Sequence, residues 1–272
     1  MSPPETPVPS NPEPSTPEPG TPVLGMPILE TRGIVVKFGG NTAVNDVSLG
    51  MAEGQITGLI GPNGAGKTTL FNTMTGLQKP DSGRVLLDGT DITKLSPSKR
   101  ARRGMARTFQ RLELFLSLSV RDNVRVAGDI LKSSSGLKGR ARFDLDEATD
   151  KVLERTGLTD IADRDVSDIP IGRARVVEVA RALMTSPRVL LLDEPASGQT
   201  DRETEAFAEM LTGLAAEGLA ICLVEHDLPL VMGLCETIHV LDYGARIASG
   251  TPREIKDSPE VIAAYIGTEE AA

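Results

Sequence analysis

No stretch of this 272-residue chain stays apolar for the ~20 residues that a membrane helix requires. The N-terminus carries neither the basic nor the apolar block of a secretory signal peptide. A location in the cytosol is the expectation. Cysteine is scarce: Cys222 and Cys235 sit in apolar stretches, without metal-ligand spacing or a disulfide framework, and buried, reduced thiols are expected. Positive charge is in deficit, with 29 Lys and Arg against 38 Asp and Glu and a net charge of -9. A nucleic-acid binder usually presents a basic face, so no nucleic-acid partner is expected. The deficit is complete over residues 1–27, which hold ten of the nineteen prolines among Ser, Thr and Glu. Such a segment has too little apolar surface to fold and reads as a disordered, proline-rich tail.

The chain as a whole is ordinary for a soluble globular protein, 39% hydrophobic and 25% charged, and suits one large domain with an accessory lobe. Residues 28–30 and 34–38 look like short strands separated by Arg32-Gly33. The run 56–60 is compact and apolar, and a glycine-rich loop follows it and opens a helix from Lys67 to about Leu77. Residues from about 111 to 168 change to helix-forming stretches broken by the polar segment 133–136. Beyond them the apolar runs 189–192, 220–224 and 237–241 alternate with helical sequence, the rhythm of a parallel α/β sheet.

Two elements carry chemistry. Gly61, Pro62, Asn63, Gly64, Ala65, Gly66, Lys67 and Thr68 fit G-x-x-x-x-G-K-[ST] between a strand and a helix, the context in which that motif binds phosphate. Glycines let backbone N–H groups approach the phosphates, and the helix N-terminus adds positive potential. Lys67 can bridge the β and γ phosphates, and Thr68 can offer a hydroxyl to magnesium. The second element is the apolar run ending in Asp193-Glu194, whose carboxylates emerge at the C-terminal end of a strand, where open α/β sheets bind ligands. By itself an Asp-Glu pair there is a common helix cap. Beside the phosphate loop, Asp193 is expected to hold Mg2+ and Glu194 to polarise the attacking water.

These elements, with Phe109-Gln110, the segment 169–175, Pro195 and Glu225-His226-Asp227, stand in the order found in ABC ATPases, and spacings agree across residues 28–267. The chain resembles that family. The resemblance implies a P-loop NTPase (RecA-like) α/β core, an N-terminal antiparallel β subdomain and a helical signature subdomain at roughly 111–172. It implies one domain over 28–267, flanked by the tail 1–27 and a C-terminal tail 268–272. ATP and Mg2+ are the implied ligands. ATP would be held by Phe38, stacking on adenine, and by residues Gly61 to Thr69. Thr68, Gln110 and Asp193 are the implied metal contacts, and Glu194, His226 and Gln110 the implied catalytic set.

Phe38-Gly39-Gly40, Arg107-Thr108-Phe109-Gln110, the run after Glu225 and Gly250-Thr251-Pro252 look more specifically like the ATP-binding subunit of branched-chain amino acid importers. Implied partners are membrane permease subunits, a second ATPase subunit in a homo- or heterodimer, and an external solute-binding protein, with the chain peripheral to the cytoplasmic face of the membrane. Similar subunits serve urea import and lipopolysaccharide export, and some soluble ABC ATPases act outside transport.

The sequence departs from the family in two places. Where the signature near L-S-G-G-Q completes the partner's ATP site, this chain has Ile169, Pro170, Ile171, Gly172 and Arg173. Gly172 can still present its N–H at a helix start, and Arg173 can add a cation or point away. Without the serine, one hydroxyl hydrogen bond to a charged phosphate goes unmade at a cost of roughly 1.5 to 3 kcal/mol, which weakens the partner's site rather than abolishing it. Thr200 replaces the usual Asp or Asn of the dimer-contacting loop.

Overall fold

The computed structural model describes residues 27–134 and 144–269. The proline-rich segment before Pro27, the end of the polar break at 133–136 and residues 270–272 lie outside them.

The N-terminal strands form an antiparallel sheet in the order β2-β1-β4-β5: β1 Leu29–Phe38, β2 Asn41–Met51, β4 Ser82–Leu87 and β5 Thr90–Asp91. The two strands expected at 28–30 and 34–38 are one. The register to β2 shifts between Thr31 and Ile34, and Gly33, at φ 57°, sits in this irregularity, so Arg32-Gly33 bulges the strand instead of ending it.

The second sheet runs β10-β9-β3-β8-β7-β6, with β3 Ile56–Ile60, β6 Met105–Arg107, β7 Val189–Asp193, β8 Ala220–Val224, β9 Thr237–Asp242 and β10 Ala245–Gly250. Every pairing is parallel except the β9–β10 hairpin at one edge. Strands β3, β7 and β8 are buried along their whole length, which is why they read as unbroken apolar runs. Their side chains alternate between two cores. Leu190, Leu192, Ile221 and Leu223 face one, whereas Leu191, Cys222 and Val224 face the other, shared with the antiparallel sheet. Both thiols are free and buried, and burial raises their pKa values.

Helix α1, Lys67–Thr75, leaves β3 through the glycine-rich loop and ends at Gly76 in a left-handed cap. A short α2, Pro97–Ala101, follows β5. The expected helical insertion comprises α3, Val120–Ser134, and α4, Leu145–Arg155, then two 3-10 turns at Thr159–Ile161 and Val166–Asp168. Asp144 starts α4 by accepting from the N–H groups of Asp146 and Glu147 at 3.0 and 3.2 Å. Helix α5, Ile171–Leu183, returns the chain to the main sheet. It is followed by α6 Asp201–Ala216, α7 Leu228–Leu234, α8 Pro252–Lys256 and α9 Pro259–Glu269. Helix α9 thus runs through two residues assigned above to the C-terminal tail. No helix among the described residues is long and apolar enough to cross a membrane.

His239 on β9 is fully buried between Ser249 Oγ, 2.9 Å from Nδ1, and the carbonyl of Gly50, 3.3 Å from Nε2. Burial pushes its pKa down to about 4, against about 6.5 in an unfolded chain. Because the folded value is the lower one, the unfolded chain binds the proton first as pH falls. The stabilisation is therefore complete above about pH 6.5 and is lost between about pH 6.5 and 4. Urea unfolding at about pH 7.5 and about pH 5 should show a loss from this group of about 2 kcal/mol. That increment should be absent in His239→Gln.

Candidate active site

The loop between β3 and α1 is built on glycines that no other residue can replace. At Gly61, with φ 146°, a Cβ would lie 2.0 Å from the carbonyl oxygen of Leu241. At Gly66, with φ 96°, it would lie 2.4 Å from that of Ala43. The strand β9 and the β1–β2 hairpin thus press on the loop from outside and hold its N–H groups in a concave nest. Lys67 is buried, and its Nζ donates to the carbonyls of Gly61 at 2.6 Å and Pro62 at 2.9 Å. Burial lowers its pKa, and the charges of Glu194 and Asp193 oppose that shift. The ammonium is thus tied to the carbonyls of the first two residues of the loop. Thr68 is exposed at the start of α1, and Phe38, 51% exposed, stands at the end of β1.

Asp193 and Glu194 leave β7 in different directions. Asp193, the last residue of the strand, stays buried and accepts from Arg107 Nη2 at 2.9 Å. Burial raises its pKa while Arg107 draws it back down. Glu194 adopts φ 49°, a left-handed conformation that costs a non-glycine residue on the order of 1 kcal/mol or more. Its N–H bonds the carbonyl of Val224 on β8 at 2.9 Å. The turn frees its carboxylate to meet two other elements: Gln110 Nε2 donates to Oε2 at 2.8 Å, and His226 Nδ1 lies 3.5 Å from Oε1. Two residues named from sequence alone, Gln110 and His226, are therefore gathered on the carboxylate of a third.

Neighbouring side chains hold this arrangement. Glu225 is buried and accepts from the N–H of Ala196 at 2.8 Å and of His226 at 3.2 Å, which ties the loop after β8 to the loop after β7. Asp227 caps α7 through the N–H of Leu230 at 3.0 Å. Arg107 also donates to Asn72 Oδ1 at 2.6 Å and lies 5.0 Å from the ring centroids of both Phe71 and Phe109. In the sequence, Arg107 and Glu225 stand out only as parts of longer motifs. An arginine at the end of a three-residue edge strand carries no signal of burial.

The donors beside the nest suit a hard cation. Asp193, the Thr68 hydroxyl and the Gln110 side-chain carbonyl offer oxygen only, which fits Mg2+ shared with nucleotide phosphates. No group of three or more His, Cys, Asp or Glu residues among the described residues could hold a metal unaided.

The unusual signature segment lies apart from this cluster, at the start of α5. Pro170 precedes the helix, and Ile171 is 46% exposed in its first turn. A Cβ on Gly172 would fall 2.6 Å from the carboxyl of Glu203. Glu203 belongs to α6, where its carboxylate accepts from the N–H of Thr200 at 3.0 Å in a capping box. Thr200 therefore serves as the N-cap of α6. Arg173 points into the helical lobe, with Nη2 2.5 Å from Asp160 Oδ1.

The family model described as ABC transporter matches residues 44–197. This chain belongs to the ABC transporter family. A second model, described as branched-chain amino acid ATP-binding cassette transporter, matches residues 245–271. The chain is 40% identical over 248 residues to the high-affinity branched-chain amino acid transport ATP-binding protein BraF of Pseudomonas aeruginosa, covering 88% of this chain and 97% of BraF. It is 40% identical over 253 residues to LivG of Escherichia coli K12, a protein of the same description, with the same coverage. It is 34% identical over 239 residues to the lipopolysaccharide export system ATP-binding protein LptB of Acidithiobacillus ferridurans, covering 88% and 96%. Among solved structures, a nucleotide-free ATP-binding cassette from an ABC transporter superposes with a TM-score of 0.79 at 33% identity, covering 89% of this chain and all of the other. The ADP conformation of an ATP-binding cassette also gives 0.79, at 32% identity. The fold is thus the ATP-binding cassette, with its antiparallel β subdomain on a P-loop core. As a member of the family, the chain is a transporter ATPase that binds ATP and couples its hydrolysis to transport.

Proposed function

We propose that this chain powers import of branched-chain amino acids, as one of two ATPase subunits bound beneath membrane permeases and served by an external solute-binding protein. The observation that carries the catalytic half is the convergence of Gln110 and His226 on Glu194 beside the Lys67 nest. The transported class is supported by the relatives described as branched-chain amino acid transport proteins and by the match at 245–271. That match favours import over the lipopolysaccharide export of LptB.

In this reading Phe38 stacks on adenine. Residues Gly61 to Thr69 wrap the phosphates, with Lys67 leaving its carbonyl partners for phosphate oxygens. Asp193, Thr68 and Gln110 would hold Mg2+, which would supply positive charge against the phosphate oxygens. Glu194 accepts the proton of a water as its oxygen bonds to the γ-phosphorus and the bond to the bridging β–γ oxygen breaks. Gln110 orients that water, and His226 contacts the γ-phosphate. Gly172 of the segment 169–173 offers its N–H to the ATP of the second subunit, within the dipole of α5. The Arg173–Asp160 pair withholds the one cation this signature could add. In a heterodimer the site on this chain is then competent, and the site that receives its signature is the weaker. Closure favoured by ATP and released by hydrolysis moves the permeases. They dock where Phe109, Phe115 and Leu116 are exposed, 45%, 48% and 60% respectively, apolar side chains such as a membrane subunit would cover.

Coexpression with candidate membrane subunits tests the assignment. Copurification of a complex with magnesium-dependent ATPase activity is expected. Recovery with ribosomes or DNA in place of membrane subunits would move the chain to the soluble ABC ATPases.

A further inference from the structure

Three charged side chains on successive turns of α5 grip the segment 109–115. Arg175 Nη2 donates to the carbonyl of Gln110 at 2.7 Å, and Nη1 donates to that of Phe109 at 3.3 Å and to Glu178 Oε2 at 3.2 Å. Glu178 Oε1 accepts from the N–H of Glu113 at 2.9 Å. Arg181 donates to the carbonyl of Glu113 and lies 5.5 Å from the ring of Phe115. Arg175 and Glu178 are only 7% and 8% exposed.

A buried ion pair contributes little net stability, because desolvation offsets most of the attraction. Its geometry is specific, however. A guanidinium that donates to two consecutive carbonyls fixes the direction of the peptide between them, which an apolar side chain of the same size cannot do. The peptide held is the one that aims Gln110 at Glu194, where Nε2 donates at 2.8 Å. The grip begins three residues beyond Gly172, on the same rigid helix.

We infer that Arg175, supported by Glu178, is a positioning residue. It ties the backbone of Gln110 to α5, so that a movement of the signature end of the helix shifts Gln110 relative to the Glu194 carboxylate. The inference rests on the catalytic reading above and names the device through which the helical lobe acts on it.

The test uses the complete transporter carrying Arg175→Met, Arg175→Lys or Glu178→Gln in this subunit, each alone and combined with Gln110→Ala. Arg175→Met should lower kcat on the order of ten- to a hundredfold, the scale of a sub-ångström to 1 Å misplacement, with the KM for ATP within roughly twofold. Arg175→Lys should recover part of the loss. Hydrogen exchange should quicken at the amides of residues 109–114 in Arg175→Met, and to a lesser degree in Glu178→Gln. In the Gln110→Ala background, Arg175→Met should cost less than roughly twofold more, because both changes remove one effect. Fully additive losses, or a raised KM at unchanged kcat, would overturn the inference. If Arg175→Met fails to fold, Glu178→Gln carries the same comparison, and unchanged exchange over 109–114 in that variant counts against the clasp. Absence of ATP hydrolysis by the wild-type transporter would instead remove the catalytic reading itself.

Discussion

Glu194→Gln is expected to cut ATP turnover by about 10²- to 10⁴-fold, the usual contribution of a positioned proton acceptor. ATP affinity should stay within roughly threefold, since the loss falls on a transition-state interaction. Glutamine keeps the length of the side chain, and its carbonyl can still accept from Gln110, which donates to Glu194 at 2.8 Å. It cannot take a proton from water. The left-handed backbone at φ 49° is indifferent to the change from carboxylate to amide, so folding should be unaffected. Pre-steady-state hydrolysis and binding of a fluorescent ATP analogue separate the two quantities. In a heterodimer the same change in the partner's corresponding glutamate should cost less, because that subunit's site receives the segment 169–173. Equal losses would remove the asymmetry.

Arg100→Met should destabilise the fold by about 3 kcal/mol, which lowers the Tm by about 6 to 12 °C for a domain of this size. Arg100 is 1% exposed on α2. It donates to the carbonyls of Thr73 at 2.7 Å and Met74 at 2.5 Å in the last turn of α1, of Thr93 at 2.9 Å and of Leu95 at 3.1 Å. Burial pushes its pKa down to about 10, so it remains charged at neutral pH. A cation against the C-terminal carbonyls of α1 satisfies groups that the helix leaves unpaired and opposes its dipole. Methionine fills much of the space but leaves those carbonyls buried and unmet. Lysine, with one point charge, should recover less than half of the loss, since it cannot span all four acceptors. Urea unfolding of the three proteins measures this directly, and a loss below about 1 kcal/mol would show that water replaces the guanidinium. The phosphate loop opens α1, so ATP affinity should weaken alongside stability.

What was legible in the sequence follows from how local each signal is. The nest around Lys67 and the pair Asp193-Glu194 are contiguous motifs bounded by apolar runs, and both fell on the expected elements. The inner strands β3, β7 and β8 were legible because burial on both faces leaves an uninterrupted apolar run. The edge strand β6 was missed, since Met105–Arg107 is three residues long and ends in a charge. The bulge at Gly33 was read as a gap between strands, because a glycine in a strand looks the same whether pairing stops or slips. Arg100 and Glu178 were not legible, and Arg175 stood out only as the end of the segment 169–175. Their partners are backbone carbonyls and amides, which leave no trace in residue identity, and a charged residue on a helix is solvated by default. Arg173 remained open between adding a cation and pointing away until Asp160, thirteen residues earlier in the chain, came beside it.

The most direct measurement is ATP-driven uptake of labelled leucine, isoleucine and valine by vesicles containing the membrane subunits, this chain and the solute-binding protein. Accumulation that requires magnesium ATP, and that Glu194→Gln in this subunit abolishes, is the result the account predicts. ATP hydrolysis by the same vesicles without accumulation of any of the three amino acids would contradict it.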